Sequence, residues 1–129
     1  MANQPNIVTT ATPEEDAQQR AAIDRSLRVP VLFFFTSGLV WLFISLLLGL
    51  AASIKLHSPD IFSACPLLTY GRLQPAHLNA FVYGWGFQVG LGTALWIMAR
   101  LCRISLPRVA MLVTAGHLWN VGVTIGVAA

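Results

Sequence analysis

The chain has 129 residues, a net charge of +3, 56% hydrophobic and only 10% charged residues, and a mean hydropathy of +0.67. A soluble domain carries about 25% charged residues; here the apolar residues are gathered into long blocks, which excludes an ordinary soluble core. The basic residues sit at the edges of those blocks, so the positive balance points to a lipid bilayer and not to nucleic acid.

Residues 1–11 are small and polar, without periodicity. Thr12-Pro13-Glu14-Glu15 carries a capping box, with Thr12 as N-cap, Pro13 at the first helical position and Glu15 at the third. Ile23, Leu27 and Val31 follow at helical spacing. This predicts a short helix within residues 1–29, lying along the cytoplasmic surface and feeding into a first span near Pro30. Glu14, Glu15, Asp16 and Asp24 exclude a secretory signal or transit peptide. They also offset the arginines, which argues against a lipid-binding amphipathic helix.

Residues 30–129 read as a transmembrane region with spans at about 31–54, 76–99 and 109–129, each near the roughly 20 apolar residues that a crossing helix needs. The fold class is all-α membrane protein with three transmembrane helices. Arg20, Arg25, Arg28, Arg100, Arg103 and Arg108 flank one side, against Lys55 and Arg72 on the other. The positive-inside rule then puts the N-terminus in the cytoplasm and the 55–74 loop outside.

The first span offers no chemistry, but Gly38, Ser45 and Gly49 let another helix approach closely. The loop after it holds two turn-forming clusters, Ser58-Pro59-Asp60 and Cys65-Pro66, and an interfacial His57. Cys65 and Cys102 form no metal or redox spacing.

The second span begins with Pro75 in its first turn and carries His77, its one ionisable residue. An ionisable side chain inside a membrane marks a functional site by default, and histidine is a common ligand of haem iron. Arg72 sits at the water boundary, where a guanidinium can pair with a carboxylate such as a haem propionate. Gly84, Gly86, Gly90 and Gly92 follow. Ala80/Gly84 and Gly86/Gly90 are spaced for close helix packing. On a regular helix, however, Gly84 and Gln88 lie almost beneath His77 and leave room for a flat cofactor, and both readings stand. Asn79 and Tyr70 are placed to bond neighbouring backbone or the histidine.

The third span carries His117, Asn120 and Thr124 on one side, a stripe that should face the bundle interior. His117 reads either as an internally hydrogen-bonded residue or as part of a proton path or cofactor site. The span ends at Ala129 with no polar or aromatic anchor, which reads as a truncated chain.

The run Gly71-Arg72-Leu73-Gln74-Pro75-Ala76-His77-Leu78-Asn79-Ala80 resembles the start of the second helix of the catalytic subunit of C-family (cbb-type) cytochrome c oxidases, in the haem–copper oxidase superfamily. The pattern there is G-R-L-x-P-x-H-x-N-A. Gln74 stands where some relatives have a basic residue, so no charge-based role carries to that position. The resemblance covers roughly residues 30–129 and implies the N-terminal part of a bundle of roughly twelve helices. It implies that His77 is an axial ligand of the low-spin haem b; the positions of Arg72 and Gly84, read from the residues above, place them at the same cofactor.

The ligands of the high-spin haem and of copper belong to later helices. The implied activity is oxidation of cytochrome c, reduction of oxygen to water and proton pumping, with this part alone inactive. The implied partners are the other oxidase subunits, including c-type cytochrome subunits, in a bacterial inner membrane. The nitric oxide reductase catalytic subunit is similar at this helix, and a three-helix scaffold or assembly protein is the non-enzymatic alternative.

The charge distribution makes a topological prediction. With Cys65 and Cys102 replaced by serine, an impermeant thiol reagent on intact cells should label Ser58→Cys and spare Ser105→Cys. The reverse pattern contradicts the orientation.

Overall fold

The first helix, α1, spans Pro13–His57 and starts as its sequence dictates. Thr12 Oγ1 accepts from the Glu15 N–H at 3.3 Å, and the Glu15 carboxylate accepts from the Thr12 N–H at 2.8 Å, closing the capping box. The structure is a computed structural model that describes residues 12–61 and 65–129. The 1–11 segment therefore lies outside the described residues.

The expected break near Pro30 does not occur: α1 runs 45 residues with a buried Pro30 inside it. A proline inside a helix removes one backbone hydrogen bond, but tertiary contacts hold the stretch before it. Ile23 and Leu27 are buried against Ala99, with Val31 and Leu106 packed around them. Asp24 pairs with Arg100 at 2.8 Å and Asp16 with Arg103 at 3.3 Å. The Ser26 hydroxyl accepts from the Leu106 N–H, and the Gln19 amide donates to the Arg103 carbonyl. The predicted apolar stripe is present, but it packs on the end of a neighbouring helix instead of lying as a separate surface helix.

After a turn at 59–61 and a 3₁₀ turn at Pro66–Leu68, helical backbone runs without interruption from Tyr70 to Cys102. It divides into α2 (Tyr70–Asn79), a π segment (Ala80–Gly86) and α3 (Phe87–Cys102). The last helix, α4, spans Val109–Ala128. Among the described residues, α1 and α4 are each long and apolar enough to cross a membrane. The expected middle span at 76–99 is shared between α2, the π segment and α3. Pro75 lies in the interior of α2, because that helix starts five residues earlier, at Tyr70. The carbonyl it leaves without a helical partner is that of the exposed Gly71, near the helix end where water can reach it.

The π turn widens the i→i+4 ladder to i→i+5, as in the bond from the Phe87 N–H to the Val82 carbonyl. Two carbonyls of the segment accept from side chains. The Trp119 indole donates to Tyr83 at 3.0 Å, and the Gln88 amide donates to Gly84 at 2.9 Å. Trp119 also stacks on Phe87, with ring centroids 4.1 Å apart. The irregular turn is thus tied to α4.

Small residues set the packing. A Cβ on Gly38 would lie 2.9 Å from Val89, and one on Gly92 would lie 3.1 Å from Phe35. Ser45 and Ala80 have no exposed surface. Leu39, Phe43, Leu50, Leu118 and Ile125 are each at least 60% exposed, giving an apolar exterior suited to lipid. Within it, Ser37, Trp41 and Gln88 all donate to Asn120 Oδ1, at 2.9, 2.6 and 3.0 Å. The Asn120 amide donates to the Gly116 carbonyl. This one oxygen joins α1, α3 and α4.

Asn120→Ala removes three acceptor contacts at once. Interhelical hydrogen bonds in membranes are worth about 0.6 kcal/mol each on average. The expected loss is about 2 kcal/mol, read as an earlier midpoint in SDS-induced unfolding from bicelles; an unchanged midpoint would contradict the junction.

Candidate functional site

His77 lies in the last turns of α2 and faces α1. Its ring reaches α1 because Gly49 has no side chain: a Cβ there would lie 2.8 Å from His77 Nδ1. Nδ1 is 2.8 Å from the Ser45 backbone carbonyl and 3.0 Å from the Ser45 hydroxyl. That hydroxyl donates to the His77 carbonyl at 3.2 Å. A carbonyl oxygen has no proton to give, so Nδ1 carries the hydrogen and donates it. In the neutral ring, Nε2 is then the lone-pair nitrogen, and it has no hydrogen-bond partner among the described residues.

A metal-ligating histidine typically donates its other ring N–H to a carbonyl or carboxylate, which fixes the tautomer and raises the basicity of the ligating nitrogen. His77 has that arrangement. The ring is half-buried, and Phe81 lies one turn on, with ring centroids 6.2 Å apart. Among the described residues no group of three or more His, Cys, Asp or Glu side chains converges. His77 thus presents a single imidazole nitrogen and is not part of a cluster of three or more such side chains among the described residues.

The other predicted residues stand apart from this ring. Arg72 is exposed and donates to the Ala129 carbonyl at 3.1 Å. It precedes His77 by five residues, about 140° around a regular helix, so it points toward α4 while His77 points toward α1. Asn79 also turns to α4, donating to the Gly126 carbonyl at 2.9 Å. Tyr70 is exposed at the start of α2.

Gly84 does not open onto free space beneath His77. A Cβ there would lie 2.6–2.9 Å from Trp41 Cγ, Cβ and Cδ2, so the ring of Trp41 fills the position. Projection along a regular helix fails here because the π turn adds a residue and rotates the rest of the helix. Of the predicted small pairs, Ala80/Gly84 packs on Trp41. Gly90 has nothing within 4 Å, so Gly86/Gly90 meets no neighbouring helix.

The polar stripe on α4 divides as well. Asn120 turns inward to its three donors, whereas Thr124 bonds its own helix at the Asn120 carbonyl. His117 is exposed, with Phe33 edge-on at 4.7 Å. An apolar groove of about 610 Å³ runs between the π segment and α4, lined by Tyr83, Leu118, Trp119 and Gly122 among others, and His77 is not part of it. Sequence reasoning singles out His77 but not its partner. Ser45 shows there only as a small residue, since nothing in a sequence reveals which carbonyl a ring will meet.

The family described as Cytochrome C and Quinol oxidase polypeptide I matches residues 29–129, and the chain belongs to it. It is thus a membrane protein of the haem–copper oxidase subunit I class, a family of oxidoreductases that use haem and work in multi-subunit complexes. The chain is 27% identical over 77 residues to a cytochrome c oxidase subunit 1 homolog from the bacteroid of Bradyrhizobium diazoefficiens, covering 60% of this chain and 14% of that protein. It is also 27% identical over 66 residues to a cytochrome c oxidase subunit 1 homolog of Agrobacterium tumefaciens, covering 51% of this chain and 12% of that protein. The chain therefore spans less than a sixth of the length of these relatives. No solved structure matches it significantly.

Gly84→Ala tests the packing role. The added methyl must displace the Trp41 ring or part the helices, at a cost of about 1–3 kcal/mol. Steric-trapping measurements in bicelles should show that loss, with Gly90→Ala, which meets open space, as the neutral control. Equal effects of the two would contradict the contact.

Proposed function

We propose that the chain is an N-terminal part of the catalytic subunit of a cbb-type haem–copper oxidase, and that His77 provides one axial ligand of its low-spin haem b. The observation that carries this reading is the bond from His77 Nδ1–H to the Ser45 carbonyl, which leaves Nε2 as the ligating nitrogen. Family membership supports haem as the group, and the arginine-flanked pattern around Pro75 and His77 supports the C family.

When bound, the haem supplies one-electron transfer. The residues of this chain do the rest. Ser45 fixes the tautomer and the ring plane, and Gly49 keeps the space above α1 clear for the ring. The half-buried position limits water at the imidazole, and burial, axial ligand and hydrogen bonding are the levers that set a haem potential. In this reading Arg72 is the propionate partner: it is exposed in the first turn of α2, with a long side chain held by the Ala129 oxygen just past α4. Trp41 and Gly84 support the helix from behind, and the geometry favours that role for Gly84 over contact with the haem.

In the complete enzyme, cytochrome c is the electron donor, oxygen the acceptor, and c-type cytochrome subunits the partners. The high-spin haem and copper are held by later helices of the roughly twelve-helix bundle, in which 76–99 is the middle of this chain's three spans. The arginine-rich end lies on the cytoplasmic side of a bacterial inner membrane.

In the full-length subunit, His77→Ala is expected to abolish the low-spin haem signal or convert it to high spin, with copper content less affected. His77→Met keeps a ligand that tends to raise the potential, and is expected to retain some haem at a higher midpoint. Optical and EPR spectra check both. A complete low-spin signal in His77→Ala would overturn the assignment.

A further inference from the structure

The polar contacts that hold α1 to α3 also build a cleft. Arg20 and Gln19 come from α1, Arg100 and Leu101 from α3, and Arg103 from the turn after it; Asp16 and Ile23 complete the lining, around about 230 Å³. Arg20 is 80 residues or more from the other two arginines in sequence, and the fold brings them together. Asp16 and Asp24 each engage one arginine, but both pairs are substantially exposed. Arg20 has no ion pair or hydrogen bond among the described residues. The cleft therefore holds three guanidiniums, two of them engaged by carboxylates, Asp16 in the lining and Asp24 outside it, and one uncommitted among the described residues.

Its surroundings are those of a membrane boundary. Arg100 closes the charge-free run from Leu78 to Ala99. It lies over the Trp96 ring, 5.5 Å from the centroid, and tryptophan is typical of the headgroup level. The floor, Ile23, is 3% exposed, while Leu101 beside the cleft is 79% exposed and Met98 below it 61%. A ligand that satisfies both sets of groups has an anionic head and apolar tails. A soluble anion would leave Leu101 and Met98 uncovered.

We propose that this cleft binds the phosphate of an anionic phospholipid, with its acyl chains descending along Leu101 and Met98. Guanidiniums suit phosphate oxygens because their planar N–H forks bind them in pairs. Basic pockets between transmembrane helices are known to take such headgroups. The acidic residues of α1, which weaken the case for that helix alone, here serve to position Arg100 and Arg103. The proposal does not depend on the ligand role of His77.

Native mass spectrometry of the full 129-residue chain, released from micelles with equimolar phosphatidylglycerol and phosphatidylcholine, tests it. The wild type is expected to retain phosphatidylglycerol in preference. Arg20→Gln, which breaks no hydrogen bond or ion pair among the described residues, should lower that preference about fivefold, the loss of one arginine's attraction at a membrane surface. Arg25→Gln, outside the cleft, should leave it unchanged, and so should excess inorganic phosphate. Equal retention of the two lipids by the wild type would overturn the proposal. So would an unchanged preference in Arg20→Gln, an equal fall in Arg25→Gln, or displacement of the lipid by inorganic phosphate.

Discussion

An imidazole ring can bond to the backbone of a neighbouring helix only where that helix lacks side chains in the way, and this constraint governs the arrangement around His77. Gly49 and Ser45 provide the gap on α1. Once the ring enters it, the Ser45 carbonyl decides which nitrogen carries the proton. The remainder of the helix pair keeps that approach in register: Trp41 covers Gly84, Val89 covers Gly38, and Phe34 and Phe35 cover Gly92. Lipid tails are as apolar as leucine, so burial of apolar side chains gives little drive for such an approach; close van der Waals packing and hydrogen bonds must supply it.

The π segment is the irregularity in this pairing, and its polar groups are well accounted for. It rotates α3 relative to α2, so that His77 faces Ser45 while Gln88 faces Asn120. The carbonyls of Tyr83 and Gly84 receive Trp119 and Gln88 as donors, which matters where water is excluded. Gln88 Oε1 is the buried side-chain oxygen without a partner among the described residues. π turns often mark functional sites, and here one lies directly after the histidine helix. The bundle is joined differently at two levels: by the Asn120 junction within the apolar region, and by arginine–aspartate pairs at the 16–24 end of α1.

Much of this is legible in the sequence. The capping box at Thr12, the stripe of Ile23, Leu27 and Val31, the small residues Gly38, Ser45 and Gly49, and the singular position of His77 are all local patterns, and local patterns survive folding. The departures come from what local patterns do not encode. Continuation of α1 through Pro30, the start of α2 at Tyr70 and the placement of Gly84 against Trp41 depend on contacts between residues far apart in the chain. Arg72 and His77 leave α2 on different sides, toward α4 and α1, a difference of helix phase that their spacing in sequence does not display. The π turn has no composition that betrays it, and it upsets any projection at 3.6 residues per turn.

The proposed ligand role of His77 rests on its tautomer, which can be measured directly. The ¹⁵N spectrum of the histidine-labelled chain in lipid, assigned by comparison with His77→Gln, reports which ring nitrogen carries the proton in the neutral form. The structure predicts a proton on Nδ1 and a lone-pair signal from Nε2, because the Ser45 carbonyl accepts from Nδ1 at 2.8 Å. A neutral ring protonated at Nε2 would mean that the bond to the Ser45 carbonyl is not made, and it would contradict the proposal that Nε2 is the ligating nitrogen.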